Sequence, residues 1–160
     1  MRIGQGYDVH AFCEGDFITL AGIKIPFTKA FAAHSDGDVL IHAICDALLG
    51  ALALGDIGQH FPPNDDKWEN CDSSVFLKHI MRLIAEQGYQ VNNIDSTIIC
   101  EQPKMKAHII FMRENLAQVM DLEINQVSIK ATTTEKLGFC GRAEGVAVQA
   151  SCLLTQSNTK

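Results

Sequence analysis

The chain has 160 residues, 47% of them hydrophobic, with a formal net charge of −6 and a pI near 5.4. That is enough apolar material for one domain, residues 1–160, with a real core, and it excludes a disordered chain. The acidic balance argues against nucleic acid as a partner, and the longest apolar stretch, broken by His42 and Asp46, argues against a membrane.

"MRIGQGYDVH" alternates as a strand does, and "FITLAGIKIPF" divides into two short strands about Ala21-Gly22, predicting an N-terminal hairpin. From Asp38 to Leu54 the apolar spacing is helical, with Val39, Ile41, Ala43, Leu48 and Leu49 as core candidates and Gly55 as the stop. Residues 55–72, with Gly58 and Pro62-Pro63, are expected to be loop. A helix over 73–87, a strand "STIICEQ", a helix over about 106–121, and strands "QVSIKATT" and "GVAVQASCLL" follow. The expected fold is α/β, an α+β sandwich in which helices cover one face of a small mixed sheet. Met1-Arg2 leads into glycines and a charge rather than an apolar signal segment, so a cytoplasmic protein is expected. The cysteines at 13, 45, 71, 100, 140 and 152 contain no CxxC pair and read as reduced thiols.

In "GYDVHAF" a carboxylate and an imidazole stand two residues apart, on one face of a strand. Asp38, His42 and Asp46 recur at i, i+4 and i+8, so one helix face can supply further ligands or supporting groups. Two histidines and a carboxylate with an open fourth position suit a catalytic zinc ion. The alternative is that Asp8 and His10 pair with each other at a solvated strand end while His42 is a satisfied core histidine.

"SDGD" fails as a calcium loop because Leu40 stands where an oxygen ligand is required, "GQG" lacks the third glycine of a dinucleotide fingerprint, and no P-loop occurs. "GQG" reads instead as a flexible or close-packed piece of strand. "KATTTEKLGFCGRAEG", residues 130–145, gathers hydroxyls, cations and a carboxylate around glycines, as a phosphate site with a bridging magnesium would. Thr132 with Glu135 also satisfies the pattern of a helix capping box.

"GYDVHAF", "AHSDGDVLIHAICDALLGALALGDIGQHFP", "PKM" and "KATTTEKLGFCGRAEG" together resemble the 2-C-methyl-D-erythritol 2,4-cyclodiphosphate synthase family, from Met1 to about Leu154. The resemblance implies a homotrimer with active sites between neighbouring subunits. It implies conversion of 4-diphosphocytidyl-2-C-methyl-D-erythritol 2-phosphate into the cyclic diphosphate and CMP, and it turns the metal alternative in favour of a site. Carried over by motif, Asp8, His10 and His42 hold Zn2+, while His34 and Ser35 meet the erythritol phosphate, with His34 stabilising the transition state. Asp56 and Gly58 meet the ribose or erythritol hydroxyls, and Ile57 binds substrate beside them. Phe61, Pro62, Pro63, Asn64 and Asp65 close over the substrate. From the adjacent subunit, Cys100, Glu101, Gln102, Pro103, Lys104, Met105 and Lys106 form the cytosine pocket. Thr132, Thr133 and Thr134 serve the phosphates, Thr133 catalytically, and Glu135 holds Mg2+ or Mn2+. Phe139 and Arg142, with Glu144, resemble residues at the trimer axis, where a cavity accepts isoprenoid diphosphates; a packed Phe and an Arg-Glu pair are the plain alternative.

The reaction so implied brings two anions together within one molecule, so metals and cations carry the catalysis and no protein nucleophile is needed. Lys104, Lys130 and Lys136 are expected to help. A trimeric binding protein that captures such ligands without turnover is the competing class. The sequence departs from the common pattern at Pro63, at Cys100 and Lys106, and at Ala143, which replaces a frequent glycine and is tolerated unless its φ is positive.

Overall fold

The computed structural model describes residues 1–62, 66–68 and 71–157. In chain order the elements are β1 (Arg2–Glu14), β2 (Phe17–Leu20), β3 (Ile23–Pro26), β4 (Lys29–Phe31), α1 (Val39–Ala51), α2 (Ile57–His60), α3 (Ser73–Glu86), β5 (Tyr89–Ile99), α4 (Ile109–Met120), β6 (Val127–Thr132), α5 (Gly138–Gly141) and β7 (Gly145–Gln156). Short 3-10 turns lie at Asp66–Trp68 and Ile124–Gln126. Five strands form one sheet in the order β4-β1-β7-β5-β6, antiparallel except for the β5/β6 pair, whose crossover is α4. The predicted hairpin is a separate two-stranded sheet, β2-β3. Its turn residues Ala21 and Gly22 both have positive φ, the geometry that lets a tight hairpin follow the strand twist.

Alternation along β1 sorts its side chains. Gly4, Gly6, Asp8 and His10 face α1, while Ile3, Gln5, Tyr7 and Val9 lie on the opposite, more exposed face. A Cβ on Gly4 would lie 1.9 Å from the carbonyl oxygen of Ala47, so strand and helix backbones touch and "GQG" is a close-packed segment. The five predicted core residues of α1 are all fully buried between the sheet and α3.

Several boundaries differ from expectation. The span 55–72 is not all loop: Asp56 caps α2, its Oδ1 accepting from Gln59 N at 3.0 Å, and a 3-10 turn follows at Asp66–Trp68. β5 begins at Tyr89, well before Ser96, because a bulge between Val91 and Asn93 absorbs the weak strand formers Asn92 and Asn93, and it ends at Ile99 rather than running to Pro103. α4 starts at Ile109, not 106. β4 is a three-residue edge strand, too short to show a period. Thr132 and Glu135 form no capping box. Instead Thr133 Oγ1 donates to Glu135 Oε1 at 2.9 Å and Thr134 Oγ1 donates to Leu137 O at 2.6 Å, and the helix that follows is the four-residue α5. Ala143 has φ of 53°, so the condition for easy tolerance is not met.

Candidate active site

Asp8 and His10 project from β1 and His42 from the second turn of α1, which the two strand glycines allow to lie directly on β1. Asp8 Oδ2 is 3.1 Å from His10 Nε2 and 3.3 Å from His42 Nδ1. The two imidazole centroids are 5.1 Å apart. Each ring is anchored through its other nitrogen: His10 Nδ1 lies 2.8 Å from the Gly37 carbonyl, and His42 Nε2 lies 2.9 Å from Ser73 Oγ. A carbonyl can only accept, so Nδ1 of His10 carries the hydrogen and, in the neutral ring, Nε2 points a lone pair at Asp8.

Among the described residues Asp8 Oδ2 is the buried side-chain polar atom that receives no well-directed hydrogen bond. Three electron-pair donors therefore converge without a proton of good geometry between them, which is the arrangement a divalent cation satisfies. The side chains of both histidines are 13% exposed and that of Asp8 28%, leaving one side open to a further ligand. Without a metal the same atoms compete for a proton. Burial opposes the charge on Asp8, but the two imidazoles beside it, whose nitrogens stand 3.1 and 3.3 Å from Oδ2, outweigh it when protonated and hold the carboxyl well below its usual range. Burial likewise opposes protonation of His10, yet Asp8 and the Gly37 carbonyl together raise its pKa.

The other two acids of the i, i+4, i+8 series do not join the triad. Asp38, fully buried, caps α1 through Ile41 N at 3.0 Å and accepts from Gly22 N at 2.7 Å, tying the hairpin turn to the helix. Asp46 accepts from Ile57 N at 2.8 Å; its pKa is raised, first by burial and then by the charges of Asp56 and Asp8.

A cavity of about 440 Å³ between β5, α4 and β6 is lined by Cys100, Pro103, Lys104, Met105, Lys106, Thr132 and Thr133, seven of the expected site residues, together with Ile109 and Ala131. Gln102 is exposed outside that lining. Glu101 turns the other way: its Oε1 accepts from Thr134 N and Lys136 N, each at 3.2 Å, bracing a turn where Glu135 and Lys136 both have positive φ. Lys130 pairs with Asp95, so its charge is already matched.

His34 is exposed beside the triad's loop, and Ser35 Oγ lies 3.5 Å from His42 Nε2. The carboxylate of Asp56 is engaged by Gln59, while Gly58 is exposed and Ile57 partly buried. The Phe61 ring is buried against Trp68, Phe76 and His79, and Pro62 is exposed. Pro63, Asn64 and Asp65 lie outside the described residues. Arg142 is held by Glu144 in a two-pronged pair at 2.8 and 3.1 Å, at the edge of a cavity of about 540 Å³ that Phe139 does not line. Sequence reasoning missed Ser73 and Asp36 as supports of the triad. Asp36 belongs to the "SDGD" discarded as a calcium loop and Ser73 merely starts a helix, so no spacing links them.

Within one chain the triad and the 440 Å³ cavity are separate. His10 pairs with Val146, Ala147 with Ile99, and Ile99 with Thr132, so three strand spacings, about 14 Å, divide His10 from Thr132.

The YgbB family model matches residues 1–155. The 2-C-methyl-D-erythritol 2,4-cyclodiphosphate synthase of Acinetobacter baumannii is 58% identical over 155 residues, 97% of each chain. A Plasmodium falciparum IspF solved as a CDP complex superposes with a TM-score of 0.86 at 36% identity, covering 98% of this chain and 97% of that one. The bifunctional IspDF of Campylobacter jejuni gives 0.93 at 44% identity over 97% of this chain, which spans only 42% of that longer protein. With the Asp8, His10 and His42 cluster, the cavity and the hydroxyl-rich turn standing on the matched fold, the chain belongs to the YgbB family, that of the 2-C-methyl-D-erythritol 2,4-cyclodiphosphate synthases.

Proposed function

We propose that this chain is a cyclodiphosphate synthase, converting 4-diphosphocytidyl-2-C-methyl-D-erythritol 2-phosphate into 2-C-methyl-D-erythritol 2,4-cyclodiphosphate and CMP. The observation that carries the reading is the convergence of Asp8, His10 and His42 on a space suited to a cation. A 2-phosphate oxygen forms the new bond to the β-phosphorus, and the bond from that phosphorus to the bridging oxygen breaks, the oxygen leaving with CMP. Asp8, His10 and His42 would hold Zn2+ and Glu135 would hold Mg2+ or Mn2+, whose Lewis acidity would offset the charge of the joining phosphates. The side chains of His34, Ser35 and Thr133 orient the phosphates, and the cavity at Cys100–Lys106 takes the cytosine, with Met105 buried beneath it.

The chain acts as a homotrimer, one subunit supplying the triad and its neighbour the cavity. Two observations support this: the separation of the two halves within a chain, and the uncovered sheet face where Ile3 is 77%, Tyr7 55% and Val9 38% exposed. The cysteines are free thiols, as a reducing, cytoplasmic compartment requires. No helix among the described residues is long and apolar enough to cross a membrane.

Incubation with the substrate, zinc and magnesium, followed by phosphorus resonances, is expected to yield CMP and the cyclic product, and His42→Ala is expected to lose zinc and turnover while remaining trimeric. Unchanged substrate with tight binding would make the protein a capture module. Stoichiometric zinc and near-normal turnover in His42→Ala would remove the triad from the mechanism.

A further inference from the structure

Beyond the triad, His42 heads a chain of contacts that reaches another part of the fold. Its Nε2 is 2.9 Å from Ser73 Oγ, and Ser73 Oγ donates to Asp36 Oδ1 at 2.5 Å. Asp36 is further fixed by Ser73 N, which donates to Oδ2 at 3.1 Å, and by Asp38 N, which donates to Oδ1 at 3.2 Å. Ser73 is fully buried at the first position of α3.

The direction of these bonds follows from counting hydrogens. A serine hydroxyl has one, and it goes to Asp36 Oδ1. Ser73 Oγ can then only accept from His42, so the imidazole hydrogen sits on Nε2 and the lone pair of Nδ1 is turned toward Asp8. The opposite tautomer would set an N–H against the space the cation needs and leave two acceptors facing each other at Ser73. A backbone contact joins the two segments as well: Asp36 N donates to Cys71 O at 3.2 Å, tying the loop before α1 to the residues that lead into α3.

We infer that Ser73 and Asp36 are positioning residues that hold His42 in its Nε2–H tautomer and thereby present Nδ1 to the metal. This rests on the reading of Asp8, His10 and His42 as a cation site. His10 is held in the complementary tautomer by a backbone carbonyl, so of the two histidines only His42 depends on side chains distant in sequence. Supporting residues of this kind change metal affinity about 10- to 100-fold when removed.

The test has two arms. In metal-free protein, nitrogen-15 resonances of the imidazoles at a pH where the rings are neutral report the tautomers: wild type should show His42 protonated at Nε2, and Ser73→Ala a mixture, with His10 still protonated at Nδ1 as a check on folding. In the second arm, competition with a chelator measures zinc affinity, expected to fall 10- to 100-fold in Ser73→Ala and by less than tenfold in Asp36→Asn, which keeps one oxygen. An unchanged His42 tautomer, or zinc affinity within twofold of wild type, in Ser73→Ala overturns the inference while leaving the metal site standing. Failure of the wild-type protein to bind zinc at all overturns both readings.

Discussion

Gly6 on β1 lies so close to Ala43 on α1 that a Cβ on the glycine would stand 1.9 Å from the Ala43 carbonyl oxygen and 2.7 Å from the Ala47 amide nitrogen. Both neighbours are helix backbone, which has no rotamer with which to yield. The Asp8, His10 and His42 triad inherits this contact, because His42 is on the same helix and Asp8 is two residues further along the same strand.

Gly6→Ala is therefore expected to force strand and helix apart, lowering stability by about 3 kcal/mol, the upper range for overpacking. It should also weaken zinc binding by withdrawing His42 from Asp8. Urea unfolding and chelator competition on the same variant check the two effects. A variant with normal stability and affinity would show that the backbone approach is not what sets the triad.

Stability should depend on pH in opposite senses with and without metal. In metal-free protein the raised pKa of His10 contributes stability that is fully present below its ordinary value of 6.5 and is lost as pH rises through the raised value. Asp8, with a lowered pKa, contributes stability present above its ordinary 3.8 and lost as pH falls through the lowered value. Thermal unfolding in chelator should thus show its maximum between these ordinary values and decline on the alkaline side. Bound zinc displaces the proton, so at a fixed, limiting zinc concentration the stabilisation by metal should grow from pH 6 to 8. Parallel profiles in the two conditions would contradict the shared proton and metal site.

Ala143→Gly should stabilise the protein. A left-handed alanine costs roughly 1–2 kcal/mol, against which glycine's extra freedom in the unfolded chain sets about 0.4–1 kcal/mol. The net gain is up to about 1.6 kcal/mol, centred on about 0.8 kcal/mol, readable as a rise in the urea midpoint with unchanged slope. The bond from Lys29 Nζ to Ala143 O involves only backbone at this position and should persist.

Two inactive variants can test whether one site is built from two chains. Asp8→Ala removes the metal half and Glu135→Ala the phosphate half. Co-expressed in equal amounts they should form mixed trimers in about three quarters of cases, each with one intact interface of three, restoring roughly a quarter of wild-type activity. Verified mixed trimers that stay inactive would place both halves in a single chain.

Much of the local structure was legible from residue pattern alone. The period of 3.6 over 39–51 and 73–86, the alternation of β1 and the turn at Ala21-Gly22 are short-range properties, and chain-local sterics and burial determine them. The Asp8 and His10 half of the triad was legible for the same reason, since i and i+2 on a strand share a face wherever the strand lies; His42 as the third member was implied by the family resemblance and not by spacing. What only the tertiary structure decided is which polar groups serve which purpose. Asp38, His42 and Asp46 are equivalent by spacing, yet one caps a helix, one faces Asp8 and one receives the amide of Ile57. Glu101 sits within the segment expected to meet substrate but braces the 134–136 turn. Ser73 reaches His42 across 31 positions of chain. Spacing carries no information on such pairs, because a hydrogen bond between side chains depends on the packing of whole elements, and here that packing is set by two glycines that let α1 rest on β1.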